Sequence, residues 1–178
     1  MKVILVSGTP GTGKTTLSKK LAQRLNLHYL DVNLIIKKYG LSEGYDKKRK
    51  TKIVDVKKLN RMLIKEITNY KNSIIKNYNK KSKKGVLIDS HLSHYLPKKY
   101  ADLCIVAKCS LKELEKRLRD KNYSKEKIRE NLDAEIFDIC LAEARENKHK
   151  VIIIDTTKSI NIGKISKKSG GLIGIRQG

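Results

Sequence analysis

Eight residues near the N-terminus, Gly8-Thr9-Pro10-Gly11-Thr12-Gly13-Lys14-Thr15, match the phosphate-binding pattern G-x-x-x-x-G-K-[ST]. Glycines at these places let backbone N–H groups converge on phosphate oxygens, and a helix that follows adds the positive end of its dipole. Lys14 then reaches the β- and γ-phosphates, and the Thr15 hydroxyl is a ligand for Mg²⁺. The bland alternative is a glycine-rich turn with a chance Lys-Thr, so the flanks decide. Lys2-Val3-Ile4-Leu5-Val6-Ser7 is a short apolar run of strand type, and Leu17, Leu21, Ala22 and Leu25 fall on one helical face. Strand, glycine loop and helix form the context the motif needs. The chain is read as binding a nucleoside triphosphate.

A second chemical group stands at Val86-Leu87-Ile88-Asp89-Ser90-His91. An apolar strand ending in Asp89 sets a carboxylate near the magnesium shell of a bound triphosphate, while an ordinary strand-end Asp would cap a loop. Asp155 ends a similar run and is the rival; Asp89 ranks higher because His91 follows two residues on. A histidine there either orients phosphates or activates water, or is a plain surface-loop residue. His28, His94 and His149 have no comparable setting. Arg117, Arg119 and Lys121 form a third group. They either close over the triphosphate and neutralise developing charge or make a solvated cationic helix end that suits the dipole.

The elements that must position these groups are legible in outline. Residues 28–31 predict a strand and 33–39 a helix ended by Gly40, followed by an irregular polar loop over 41–54. A helix starts near Asp55 with Leu59, Met62, Leu63 and Ile67 on one side, and the Lys/Asn-rich residues 70–84 are exposed. Strands are predicted at 85–89, 103–107 and 151–155. Ser110-Leu111-Lys112-Glu113 is a capping box opening a helix to about Asp120. Ser124 caps one long helix with Ile128, Leu132, Ile136, Ile139 and Glu143 in line. The alternation gives an α/β parallel sheet. The tail 156–178, with five glycines and no acids, is expected to be loosely held.

At 178 residues the chain reads as one domain, 1–178, with a core of Ile, Leu and Val, since it has one Phe and no Trp. No apolar run has membrane-spanning length and no leader is expected, which points to a cytoplasmic protein with no membrane partner. Cys104, Cys109 and Cys140 lack metal-site spacing and read as buried reduced thiols. Net charge is +23, and residues 47–84 carry 15 basic residues against Asp55 and Glu66. Such clustering favours a polyanion partner such as RNA, against a composition-driven solvated face.

Together these blocks resemble the archaeal and eukaryotic adenylate kinase 6 family of adenylate-kinase-like P-loop NTPases. The resemblance rests on the Gly8–Thr16 stretch, Gly44-Tyr45-Asp46, the run from Val86 to His91 with Pro97 downstream, and Arg117-Leu118 through Asn122-Tyr123 and Asn131 to Glu135-Ile136-Phe137. It spans about residues 1–155. It implies a five-stranded parallel sheet flanked by helices, a monophosphate-binding segment at about 31–54 and a short lid at about 120–130. It further implies broad-specificity transfer between ATP and AMP, giving two ADP, with ATPase activity and Mg²⁺. Maturation of small-subunit ribosomal RNA, with a small-subunit ribosomal protein and the RNA precursor as partners, is implied as well. Two alternatives stand: an assembly NTPase with little kinase activity, or a kinase of another small acceptor. By position, Gly11, Gly13, Lys14, Thr15, Thr16 and Lys121 would bind ATP, and Lys14, Asp89 and His91 would be catalytic. Lys37 and Asp46 would bind the monophosphate, and Thr15 with Asp89, the latter through water, would face the metal. The chain departs from the family with lysine at 121 and 37 where arginine is usual, an insertion near 68–84, and no amphipathic final helix.

Overall fold

The computed structural model describes residues 1–46, 51–76 and 83–174. Chain order begins β1 (Lys2–Ser7), α1 (Lys14–Arg24), β2 (Leu27–Asp31), α2 (Val32–Lys38), β3 (Ser42–Asp46), β4 (Thr51–Val54) and α3 (Val56–Lys76). It continues β5 (Gly85–Asp89), β6 (Leu103–Lys108), α4 (Leu111–Asp120), α5 (Lys125–Ile136), α6 (Ile139–Glu146), β7 (Val151–Asp155) and α7 (Ile162–Ile173). Two 3₁₀ turns, Ser93–Tyr95 and Lys98–Tyr100, lie between β5 and β6.

Strands buried on both faces read as unbroken apolar runs, and β1 is such a strand. Val3 and Leu5 point to one side, where Ile36 of α2 and Leu59 and Leu63 of α3 cover them. Ile4 and Val6 point to the other, against Leu17 and Leu21 of α1 and Ile165 of α7. The five-stranded sheet has the order β2-β5-β1-β6-β7, and every neighbouring pair is parallel. All strands therefore end at one edge. The chain leaves β1 toward β2 on one side and later crosses to β6 on the other, so the loop after β1 sits at the switch point where open α/β sheets bind ligands. Register sets the neighbours: Val6 pairs with Asp89 and Ser7 with Val106. That fulfils the α/β expectation.

Four local expectations are corrected. Residues 41–54 are not an irregular loop: β3 and β4 pair antiparallel as a two-stranded ribbon, with a register irregularity between Ser42 and Gly44. The single long helix after Ser124 is two, because Asp138 takes a left-handed conformation (φ 55°) that breaks the ladder and pairs with Lys108. The buried stripe of α5 is Ile128, Asn131 and Glu135, while Ile136 and Ile139 are exposed. The tail forms α7, capped by Asn161, whose side chain accepts from Lys164 N, and buries Ile165 and Ile173 beside α1. Its glycines hide the period, but Ile162, Ile165, Ser169 and Ile173 share one face. The capping box is half made: Ser110 accepts from Glu113 N, but the Glu113 carboxylate turns to Arg117 and Ser110 N donates to Thr157 Oγ1. In the basic segment, residues 47–50 and 77–82 lie outside the described residues. Its helical part, α3, begins on an Asp55 cap and runs to Lys76.

Candidate active site

The loop after β1 takes positive φ at three glycines, Gly8, Gly11 and Gly13. Gly8 has φ 132°, and a Cβ there would stand 2.2 Å from the Ala107 carbonyl oxygen of β6. Gly13, at φ 79°, is the left-handed residue from which α1 springs. The first N–H groups of α1 lack helical partners and face outward as an anion site. Between the two, Thr12 donates from its backbone N (3.2 Å) and its hydroxyl (2.8 Å) to the Thr9 carbonyl. The Thr156 hydroxyl, just past β7, points at the carbonyls of Thr12 (2.5 Å) and Lys108 (2.9 Å). Thr9 donates its own hydroxyl to Glu135 Oε2 of α5 at 2.6 Å.

Lys14 is partly buried, and its Nζ donates to the Thr9 carbonyl at 2.8 Å. Burial pushes its ammonium down to about 8, against the opposing pull of Asp89. Asp89, buried at the end of β5, accepts from the Tyr29 hydroxyl at 2.9 Å. His91 presents its ring at the cleft wall. Desolvation by the surrounding protein and then the charge of Lys14 hold it well below the usual imidazole range.

Two connected pockets surround the loop. One, of about 400 Å³, is lined by Lys14, Thr15, Thr16, Asn33, Asp89, His91, Lys121, Tyr123 and Lys127. The other, of about 480 Å³, is lined by Gly11, Gly13, Thr16, Lys20, Arg117, Asp120, Lys121, Thr156, Lys158, Ser159 and Ile160. Gly11, Gly13, Thr16 and Lys121 belong to both. The first holds the cations and the carboxylate suited to a phosphate chain. The second has the room and mixed lining for a nucleoside.

All the ATP residues picked from sequence, with Asp89 and His91, are thus gathered around one loop. The arginine cluster divides: Arg117 faces the nucleoside pocket, tied to Glu113 Oε1 and the Thr156 carbonyl at 2.8 Å each, while Arg119 pairs outward with Glu115. Asp155, the rival acid, accepts from Thr157 N and Oγ1 and closes a turn instead. Lys37 is exposed on α2 and Asp46 ends β3; neither lines the two pockets, whereas Asn33 does. Among the described residues no cluster of three or more His, Cys, Asp or Glu could hold a metal. One hydroxyl, Thr15, and one carboxylate, Asp89, do fit Mg²⁺, which keeps waters and takes its remaining ligands from substrate phosphates.

Sequence reasoning missed Tyr29, Glu135, Thr156 and Lys127. Each reaches the site through the fold rather than through spacing, although Asn131 and Glu135 on the buried stripe of α5 are a polar signal. His94 was also passed over. It is buried beneath the loop, with Nδ1 2.6 Å from Ser7 Oγ and Nε2 2.8 Å from Glu143 Oε2. The thiols follow expectation for Cys104 and Cys109, both buried and free; Cys140 is half-buried.

Residues 4–138 match the model of the AAA domain family. A Thermococcus onnurineus protein named "Putative adenylate kinase" is 37% identical over 156 residues, covering 87% of this chain and 75% of that protein. A Dictyostelium discoideum protein named "Adenylate kinase isoenzyme 6 homolog" is 31% identical over 152 residues, 85% of this chain and 79% of that protein. Among solved structures, a sugar kinase from Janibacter superposes with a TM-score of 0.61 at 12% identity, over 98% of this chain and 95% of that one. That last likeness concerns the fold alone. A phosphate loop of this geometry and relatives of this identity lead to one conclusion: the chain belongs to the AAA domain family and, within it, to the adenylate-kinase-like group that holds these two proteins.

Proposed function

We propose that the protein is an adenylate-kinase-type phosphotransferase of the cytoplasm that converts ATP and AMP to two ADP and hydrolyses ATP slowly when no acceptor is bound. The observation that carries this reading is the convergence of Lys14, Asp89, His91 and Lys121 on one cleft that continues into a nucleoside-sized pocket. Names of the relatives support the same choice of acceptor.

ATP lies with its base and ribose beside Arg117 and its phosphates over the loop. A phosphate oxygen of AMP attacks the γ-phosphorus, and the bond from that phosphorus to the β,γ-bridging oxygen breaks, leaving ADP on both sides. Backbone N–H groups and Lys14 hold the donor, and Lys121 and Lys127 neutralise charge on the moving group. Thr15, and Asp89 through a water, would hold a magnesium ion, which would supply neutralisation of phosphate charge. His91 orients the water that replaces the acceptor during hydrolysis. A panel of nucleoside monophosphates with Mg-ATP tests the reading. Fast transfer to AMP against slow bare hydrolysis supports it; hydrolysis that no monophosphate alters refutes it.

A second reading, an RNA-linked role in ribosomal small-subunit maturation with a ribosomal protein partner, has one observation behind it. Lys57, Lys58, Arg61, Lys65, Lys71 and Lys76 of α3 are all exposed within the basic segment. RNA affinity that falls steeply with salt, and falls again when Arg61, Lys65 and Lys71 are neutralised, would support it. Affinity indifferent to both would remove it.

A further inference from the structure

We infer that Glu135 is a positioning residue, a latch that holds α5 and the cationic wall of the cleft onto the phosphate loop through the Thr9 hydroxyl. The inference rests on the nucleotide-site reading but not on the identity of the acceptor. Helix α5 packs on α4 through a small apolar cluster, in which Ile128 and the partly buried Leu132 meet Leu114 and Leu118. One and two turns further along the same face stand Asn131 and Glu135, both buried. A buried carboxylate must be hydrogen-bonded, and Glu135 spends both oxygens. Oε2 accepts from Thr9 Oγ1 at 2.6 Å, and Oε1 accepts from Cys109 N, just past β6, at 3.2 Å. Asn131 donates to the Lys127 carbonyl at 2.6 Å, carrying the tie back to the cleft-lining turn of α5.

Thr9 is the hub of this arrangement. Its side chain reaches α5 while its carbonyl accepts from Lys14 and Thr12. Nucleotide entry draws Lys14 from that carbonyl to a phosphate, leaving the Thr9–Glu135 bond to keep the loop in place against α5. The position of Lys127 is thus set by a bond to the residue whose carbonyl also holds the loop lysine.

Hydrogen exchange of the whole protein tests this without any acceptor. Thr9→Val removes the hydroxyl and should speed exchange in residues 125–136 by roughly ten- to a hundred-fold, the loss expected for a hydrogen bond to a charged group. Thr9→Ser, which keeps the hydroxyl, should restore slow exchange. Glu135→Leu combined with Thr9→Val should add little to either change alone, and ATP affinity should weaken in parallel. Unchanged exchange in 125–136, additive single effects, or acceleration spread evenly over the sheet would overturn the latch. Failure to transfer phosphate to AMP would bear on the proposed reaction and leave these readouts intact.

Discussion

The sharpest consequence of the site geometry concerns proton uptake by Lys14 on binding ATP. Its ammonium is partly buried and tied to a neutral carbonyl, and burial lowers its pKa to about 8. A phosphate beside it favours the charged form and raises the pKa of the bound state. The sign follows from that order. Affinity is fully present below that lowered value and is lost as pH rises through it, because only the protonated fraction is competent. At about pH 9 that fraction is roughly one in eleven, so the apparent Kd should rise about tenfold over its value near pH 7, and about thirtyfold by pH 9.5. Phosphate groups titrate near pH 6 and stay fully ionised across the window. Calorimetry of Mg-ATP binding in buffers of different ionisation enthalpy reads both the Kd and the protons taken up. Lys14→Met should bind more weakly but with no such slope. A flat Kd from pH 7 to 9.5, or the same slope in the Met variant, would refute the reasoning.

Further expectations follow from individual contacts. Tyr29→Phe removes the hydroxyl that fixes Asp89; the Mg²⁺ concentration for half-saturation should rise roughly tenfold, while metal-free ATP affinity, read by calorimetry, stays near wild type. Gly8→Ala puts a Cβ against the Ala107 carbonyl in a backbone region hostile to side chains, so Mg-ATP affinity and melting temperature should both fall. Leu63, fully buried where α3 covers the sheet, should cost about 2–5 kcal/mol on truncation to Ala in a denaturant titration, with the slope unchanged.

What the chain announces in one dimension is what local physics controls. The loop from Gly8 to Thr15, the apolar strands around it and the Ser124 cap are readable because composition and spacing there determine backbone shape. The β3–β4 ribbon escapes because its strands are short and polar, so they show no apolar alternation. The break after α5 escapes for the opposite reason: Ile136 and Ile139 continue a helical period that the left-handed Asp138 interrupts. In α7 three internal glycines, Gly163, Gly170 and Gly171, mask a face that α1 supplies with a partner. At the site, Lys14, Asp89 and His91 come from motifs, whereas Tyr29 reaches Asp89 across 60 residues of sequence, and Glu135 and Thr156 reach the loop across 126 and 144. Only the fold can reveal such pairs. Arg117 and Arg119, indistinguishable by spacing, part company because two positions along a helix turn them to opposite surroundings.

The central claim is that this cleft moves the γ-phosphoryl of ATP onto AMP. Incubation with γ-labelled Mg-ATP and unlabelled AMP, followed by separation of the nucleotides, tests it directly. The account predicts that label appears in the β-phosphate of newly formed ADP, that little appears as free phosphate while AMP is present, and that Lys14→Met abolishes both. Label found only as free phosphate, at a rate AMP does not change, would contradict it.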